Sequence, residues 1–329
     1  MLMPEANKKA EHYVGVDLGG TKIYAGVFRP SLELLGTARL STKAERAPGE
    51  VINRIARAVT DAIDECDLSI DRIKAVGVGA PGAVDAQTGS VIFAPNLKWK
   101  NIPLKKELEE RLGVPVFIEN DANIQMIGIY ECELESKPRH VVGIFIGTGI
   151  GGAIIINREM YSGINHAAGE IGHMVIKVGG PKCGCGNNGC FEALASRTAI
   201  FREIQAAVKG GEKTLLTAML GKDLEDLRSR HIRKALRQGD ELVQRVMDRA
   251  AEYTGIAVAN LMNLLNPEVV VLGGGLIEAL GELVVPDIVK TARAHALRGT
   301  AEGIQIQASV LGDRAGILGG AVIARRGTK

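Results

Sequence analysis

The chain is poor in aromatic residues, which make up only 4% of it and include a single tryptophan. A core drawn from this sequence has to rely on Val, Ile, Leu and Ala, side chains that bury without carrying polar atoms inside. No charge of one sign dominates: 40 basic and 38 acidic residues leave a formal net charge of +2. A strongly basic surface for nucleic acid is therefore not expected. Nor is there an apolar run long enough for a membrane helix. The greasiest stretch, Val141 to Ile156, is broken by Gly147, Thr148, Gly149, Gly151 and Gly152. The opening residues, Met-Leu-Met-Pro-Glu-Ala-Asn-Lys-Lys, lack the apolar segment of a signal peptide. A cytoplasmic protein with neither a membrane nor a nucleic-acid partner is the expectation. Gly-x-x-x-x-Gly-Lys-Ser/Thr is missing too, which excludes a P-loop.

What the chain has in quantity is glycine, 41 among 329 residues, gathered in short clusters at the ends of apolar runs. Tyr13–Val16 leads into Asp17-Leu-Gly-Gly-Thr-Lys22 and then Ile23–Phe28, which reads as strand, tight turn, strand. Val141–Ile146, Gly147-Thr-Gly-Ile-Gly-Gly152 and Ala153–Ile156 repeat that pattern, so the architecture looks duplicated. Further strands are expected over Leu34–Leu40, Val76–Gly82, Val114–Ile118 and Val269–Leu272. Helices are expected over Glu50–Cys66, Leu104–Leu112, from Ala122 onward, through most of Ala199–Leu265 and over Gly316–Ala324. Within the fourth of these regions, Asp240–Leu265 is apolar enough for a long core helix, although Gly255 interrupts it. A length of 329 residues suggests two lobes.

A phosphate chain needs backbone N–H groups aimed at it and no side chain blocking its approach, and glycine supplies both. Gly19, Gly20, Thr21 and Lys22 add a hydroxyl and a cation to such a turn, and Asp17 can hold Mg²⁺ directly or through water. Gly147, Thr148, Gly149, Gly151 and Gly152 repeat the offer, and Gly273-Gly-Gly275 suits the nucleotide end. Gly147, Gly149 and Gly152 also fit Gly-x-Gly-x-x-Gly, but a strand follows them instead of a helix, which argues against a dinucleotide fingerprint. Taken one at a time, each cluster reads equally as a hairpin turn.

Of the five cysteines, Cys66 and Cys132 stand alone on expected helices and read as ordinary buried or half-buried thiols. Cys183, Cys185 and Cys190 share one glycine-rich loop, with His173 ten residues upstream. Three thiolates and an imidazole fill a tetrahedral zinc shell with no open position, so the metal would be structural. Glu170 and Glu192 flank these ligands, where carboxylates could accept hydrogen bonds from a polyol. Asn120-Asp121 ends an expected strand and begins a helix. There an ionised Asp121 could accept the proton of an attacking hydroxyl, although on local sequence alone the pair is better read as a helix cap.

Asp17–Lys22, Gly79-Ala-Pro-Gly82, Glu119-Asn-Asp-Ala-Asn123, Gly147–Gly152, Glu170-Ile-Gly-His173 and Cys183-Gly-Cys-Gly-x-x-Gly-Cys-x-Glu192 together resemble the ROK family (repressors, open reading frames, kinases), in the family's order and over nearly the whole chain. The resemblance implies an α/β, actin-like, hexokinase-type fold with two ribonuclease-H-like lobes and a cleft between them. The small lobe would cover 1–121, with a last helix over 312–329 packing back on it. The large lobe would cover 122–311 and carry the zinc loop. The resemblance implies an ATP- and Mg²⁺-dependent hexose kinase, with Asp121 as catalytic base and Gly82, Asn96, Asn120, Glu170, His173 and Glu192 around the sugar. The two glycine hairpins would hold the phosphates, Gly274 would lie near the adenosine, and the chain would assemble as a homodimer or homotetramer.

Ala94-Pro-Asn-Leu-Lys-Trp-Lys-Asn-Ile-Pro-Leu104 resembles the bacterial glucokinase stretch of the family, with Lys98 where Gly is common; Phe191 stands where Leu or Ile is usual. Glucose is the first expectation. N-acetylmannosamine, N-acetylglucosamine, mannose and fructose are the alternatives, polyphosphate is an alternative donor, and a non-catalytic sugar sensor is less expected. Repressors of the family place a helix-turn-helix before the first hairpin, and the dozen or so residues ahead of Val14 are too few for one.

Overall fold

The structure is a computed structural model and describes residues 11–328. Residues 1–10, on which the expectation about a signal peptide rests, lie outside the described residues. The chain forms two compact units. One runs to Ser136 and takes in Gly163–Ala167 and the chain from Asp313 on; the other is Lys137–Ser162 with Ala168–Gly312.

In the first unit β1 (His12–Leu18), β2 (Lys22–Phe28) and β3 (Leu34–Ser41) form an antiparallel meander, and α1 (Pro48–Asp64) follows. β4 (Ile73–Ala80) then lies parallel to β1. A small antiparallel sheet of β5 (Ala83–Asp85), β6 (Ser90–Ala94) and β7 (Trp99–Ile102) leads into α2 (Leu104–Leu112). β8 (Val116–Asn120) adds to the large sheet beside β4, and α3 (Asp121–Cys132) completes the run.

The second unit repeats the plan with β9 (Val141–Ile146), β10 (Ile150–Ile156) and β11 (Glu159–Met160). Its helical part is α4 (Phe191–Ala195), α5 (Arg197–Lys209), α6 (Leu215–Leu220), α7 (Ser229–Arg237) and α8 (Glu241–Leu265). β12 (Val269–Gly273), α9 (Gly275–His295) and β13 (Gln305–Ala308) follow, and α10 (Arg314–Gly327) returns to the first unit. The strand orders are β3-β2-β1-β4-β8 and β11-β10-β9-β12-β13. Numbered within each sheet, both are 3-2-1-4-5, so the repeat seen in the glycine hairpins extends to whole sheets.

The cores are aliphatic, as the shortage of aromatics requires. Val51, Ile52, Ile55, Val59 and Ile63 line the buried face of α1, and β9 is buried along its whole length. No helix among the described residues is long and apolar enough to cross a membrane.

Three expectations are corrected. The expected division at 121/122 lies instead at 136/137, because α3 packs against α10, and α10 packs against β1 and β4. Gly255 does not interrupt α8. A Cβ there would stand 2.4 Å from the Cβ of Thr291, so the glycine is what lets α9 lie close. Cys66 sits in the turn after α1 and Cys132, the last residue of α3, is exposed.

α10 meets both the sheet and α3 backbone to backbone. A Cβ on Gly15 would stand 1.7 Å from the carbonyl oxygen of Ile317, and one on Gly319 would stand 1.7 Å from that of Ile124. Gly49, in the first turn of α1, has nothing within 4 Å of the same point. Gly319→Ala is therefore expected to lower the urea midpoint by the equivalent of about 1–3 kcal/mol or more through overpacking. Gly49→Ala should leave stability unchanged or raise it by up to about 1 kcal/mol.

Candidate functional site

Asp17 lies near the end of β1, and the turn Gly19-Gly20-Thr21 joins that strand to β2. The turn closes with the Gly19 amide donating to the Lys22 carbonyl at 2.9 Å. The hydroxyl of fully buried Thr42 donates to the Gly19 carbonyl at 2.7 Å. Lys22 Nζ pairs with Asp313 at 2.5 Å, with Arg39 at 3.8 Å from the same oxygen. Asn96 stands beside Gly20, its Cβ 3.9 Å from where a Cβ on that glycine would be. Asp17 is crowded by the first turn of α10, since a Cβ on Gly316 would stand 2.8 Å from its carboxyl carbon. Burial pushes the Asp17 carboxyl up to about 6; the Lys22 cation opposes that shift and the Asp313 carboxylate adds to it. A carboxylate held under that pressure is a natural partner for a cation.

At an edge of the same sheet, two strands from β1, β8 delivers Asn120 and Asp121 to the start of α3. Asn120 Oδ1 accepts from the amides of Ala122 and Asn123 at 2.9 and 3.0 Å, so the side chain is the helix cap. Its Nδ2 donates to the Gly82 carbonyl at 2.9 Å and to Asp121 Oδ1 at 3.1 Å. The cap that local sequence favours and the positioning of Asp121 are thus one arrangement. Asp121 Oδ1 also accepts from the Ala122 amide at 2.9 Å, in the first turn of α3. Glu119, which the sequence reading passed over, accepts from the Asn120 amide and from Asn123 Nδ2.

In the second unit His173, Cys183, Cys185 and Cys190 bring one ligand atom each to within 4.8 Å of all the others. His173 Nδ1 lies 3.7 Å from Cys183 Sγ, and Cys185 Sγ lies 3.7 Å from Cys190 Sγ. A tetrahedron with metal–sulfur bonds of about 2.3 Å has edges of about 3.8 Å, so these spacings fit a four-coordinate ion. The donor chemistry fits as well. Burial and the neighbouring Cys185 and Cys183 push the Cys190 thiol up to about 12, and three thiolates coexist here only around a cation. His173 Nε2 faces Glu170 Oε2 at 3.9 Å, so Glu170 stands behind the imidazole.

Glu192 has a place that its sequence position did not reveal. Its Oε2 accepts from the Ile150 amide at 3.0 Å, while Oε1 lies 3.8 Å from Cys183 Sγ. The carboxylate therefore joins the cysteine loop to the Gly147–Gly152 turn. The same turn is gripped by the start of α5. The Arg197 amide donates to the Gly147 carbonyl at 3.0 Å, and Thr198 Oγ1 donates to the Thr148 carbonyl at 2.7 Å. Gly274, at φ +85°, packs on the end of β9, where a Cβ would stand 2.6 Å from the Ile146 carbonyl oxygen. The two glycine clusters of this unit are thus neighbours. Asp313, Arg197 and Thr198 escaped the sequence reading because each acts through a partner distant in the chain, and no motif marks them.

The sequence profile of the ROK family matches residues 13–327. The chain is 34% identical to the glucokinase of Thermotoga maritima over 95% of its own length and 96% of that protein. It is 32% identical to the N-acetyl-D-glucosamine kinase of Photobacterium profundum over 94% of its length and 98% of that protein. Among solved structures it matches the crystal structure of a ROK family glucokinase from Streptomyces griseus in complex with glucose and AMPPNP, with a TM-score of 0.85 and 34% identity, covering 96% of this chain and 99% of that one. With two 3-2-1-4-5 sheets, the fold is the actin-like, hexokinase-type α/β fold of two lobes.

The Asp17 carboxyl makes stability depend on pH. Between pH 3.8 and about 6 the unfolded chain releases this proton while the folded chain keeps it, so stability falls as pH rises through that window and stays lower above it. Asp17→Asn removes this contribution. In urea titrations the variant should gain on the parent from pH 4 to about 6 and hold a constant advantage beyond.

Proposed function

The chain belongs to the ROK family, and from that premise we propose that it is a hexose kinase that transfers the γ-phosphate of ATP to the 6-hydroxyl of glucose. The observation that carries the proposal is Asp121, fixed at the N-terminus of α3 by the Asn120 amide, in a chain similar from end to end to a glucokinase. A carboxylate so held keeps one orientation, which is what a base acting late in phosphoryl transfer requires.

In the proposed reaction the 6-hydroxyl gives its proton to Asp121 while its oxygen bonds to the γ-phosphorus. The bond from that phosphorus to the β,γ-bridging oxygen breaks, and ADP leaves. Asn120 orients Asp121. Gly82, Asn96, Glu170, His173 and Glu192 are the further residues proposed around the sugar, with the two glutamates accepting hydrogen bonds from hydroxyls. Gly19, Gly20, Thr21 and Lys22, together with Gly147, Thr148, Gly149, Gly151 and Gly152, offer backbone donors, hydroxyls and a cation to the phosphates. Gly274 is proposed near the adenosine. Mg²⁺, which Asp17 would hold, supplies neutralisation of phosphate charge when bound. Zinc on His173, Cys183, Cys185 and Cys190 is structural in this proposal, since its four protein donors leave no position for substrate. A cytoplasmic setting is supported by the gathering of three unpaired thiols. Assembly as a homodimer or homotetramer rests on family likeness alone. The second reading, an N-acetylhexosamine kinase, is favoured by the similarity to the Photobacterium enzyme.

A coupled ADP-release assay with MgATP over glucose, mannose, fructose and both N-acetylhexosamines should give glucose the highest kcat/KM. A higher value for an N-acetylhexosamine would select the second reading. Asp121→Asn should lower kcat by about 10²–10⁴-fold, and undiminished turnover would remove Asp121 as base. Metal analysis should find one zinc per chain. Chelation should release it, make the three cluster cysteines reactive toward a thiol reagent that otherwise meets only exposed Cys132 quickly, and raise KM for the sugar.

A further inference from the structure

We propose that Arg197 is a phosphate-binding residue of the nucleotide site, a cation standing between the Gly147–Gly152 turn and the Gly274–Gly275 turn. The inference rests on the reading that these two turns hold the nucleotide and adds a residue to it.

Arg197 is the first residue of α5, set by Ser196, whose hydroxyl accepts from the Ala199 amide at 3.1 Å as the helix cap. Both ends of the residue reach the nucleotide turns. Its amide donates to the Gly147 carbonyl at 3.0 Å. Its Nη2 donates to Thr148 Oγ1 at 2.6 Å, and its Nη1 lies 3.9 Å from where a Cβ on Gly275 would stand. The guanidinium is therefore fixed beside one turn and next to the other. Other arginines of the same unit sit on carboxylates, Arg237 on Glu282 and Arg245 on Glu212. Among the described residues no carboxylate pairs with Arg197, and the acceptor its side chain meets is the neutral hydroxyl of Thr148. A half-buried cation without a counter-ion, beside Gly147 and Gly275, where a Cβ would meet no heavy atom nearer than 3.9 Å, is matched to an anion that enters there. The planar fork of a guanidinium presents paired N–H groups to paired oxygens, so a di- or triphosphate suits it better than a monodentate anion. The glycine turns supply dipoles, and Arg197 supplies the whole positive charge they lack.

A purely structural role, in which Arg197 only ties down Thr148, predicts different behaviour. Arg197→Gln keeps an N–H donor for Thr148 and loses the charge; Arg197→Lys keeps the charge. Calorimetric titration of each intact protein with adenosine, ADP and the non-hydrolysable analogue AMPPNP, in the presence of Mg²⁺ and without sugar, separates the two. The expected result for Arg197→Gln is a loss of about 10–100-fold in affinity for ADP and AMPPNP, unchanged affinity for adenosine, and a flatter dependence of ADP binding on salt. Arg197→Lys should recover most of the loss. Glucose binding without nucleotide should be the same in all three proteins. Undiminished ADP binding by Arg197→Gln, or equal losses for adenosine and ADP, would overturn the assignment of Arg197 and leave the kinase reading standing. A parent protein that binds neither ADP nor AMPPNP would overturn the nucleotide reading itself.

Discussion

The backbone of α10 lies directly on the backbones of β1 and β4, with glycine on both sides of the contact. Gly15 and Gly77 are paired in register across the two strands, and each leaves room for a helix carbonyl, that of Ile317 and that of Gly320. On its other side α10 meets α3, where Gly128 and Gly319 do the same. Close packing of this kind tolerates no added methyl group, because neither surface has side chains that can move aside. The candidate site residues on β1 and α3 are referred to this contact. Asp17 is pressed against Gly316 in the first turn of α10, Asp313 precedes that turn and holds Lys22, and Asp121 begins the helix that α10 supports.

The second unit reaches the same end with different chemistry. Nine residues, Cys190 to Thr198, carry a thiol of the cysteine cluster, the carboxylate on the Ile150 amide, a helix cap, the guanidinium on Thr148 and the hydroxyl on its carbonyl. Phe191, fully buried, fixes the start of this segment, and its amide donates to the Met174 carbonyl at 2.8 Å. A glycine turn has little internal preference for one conformation, so its shape is imposed from outside. In the first unit the buried Thr42 does this for Gly19; here a whole chain segment does it for Gly147–Gly149.

Much of this was legible in the sequence because the signals are local. Apolar periodicity and length define α2 and β9, the glycine hairpins define the repeat, and cysteine spacing defines the cluster of His173 with three thiols. The parts that were not legible depend on partners far along the chain. Gly255 reads as a helix breaker until Thr291 is seen against it. Glu192 reads as a solvated carboxylate beside the ligands until the Ile150 amide, 42 residues away, is found on it. The boundary between units was misplaced for the same reason, since α3 carries no mark of the helix that packs against it nearly two hundred residues later. Lys98, in place of the common Gly, adopts φ 56°, so the backbone keeps the left-handed turn that glycine would take without strain.

Because α10 closes a sheet begun by β1, the two units cannot be completed in the order in which they start. On a ribosome the whole β3-β2-β1-β4-β8 sheet emerges early, yet Lys22 is 291 residues ahead of Asp313. At roughly 5–20 residues per second that interval is about 15–60 s, and from the emergence of β4 to its end the glycine-lined face of β1 and β4 has no helix to cover it. The second unit, nearly contiguous in the chain, has its strands and helices in hand before that wait ends. The unit that begins the polypeptide is therefore the later one to mature, and its exposed sheet face is the surface that a nascent-chain chaperone would have to guard.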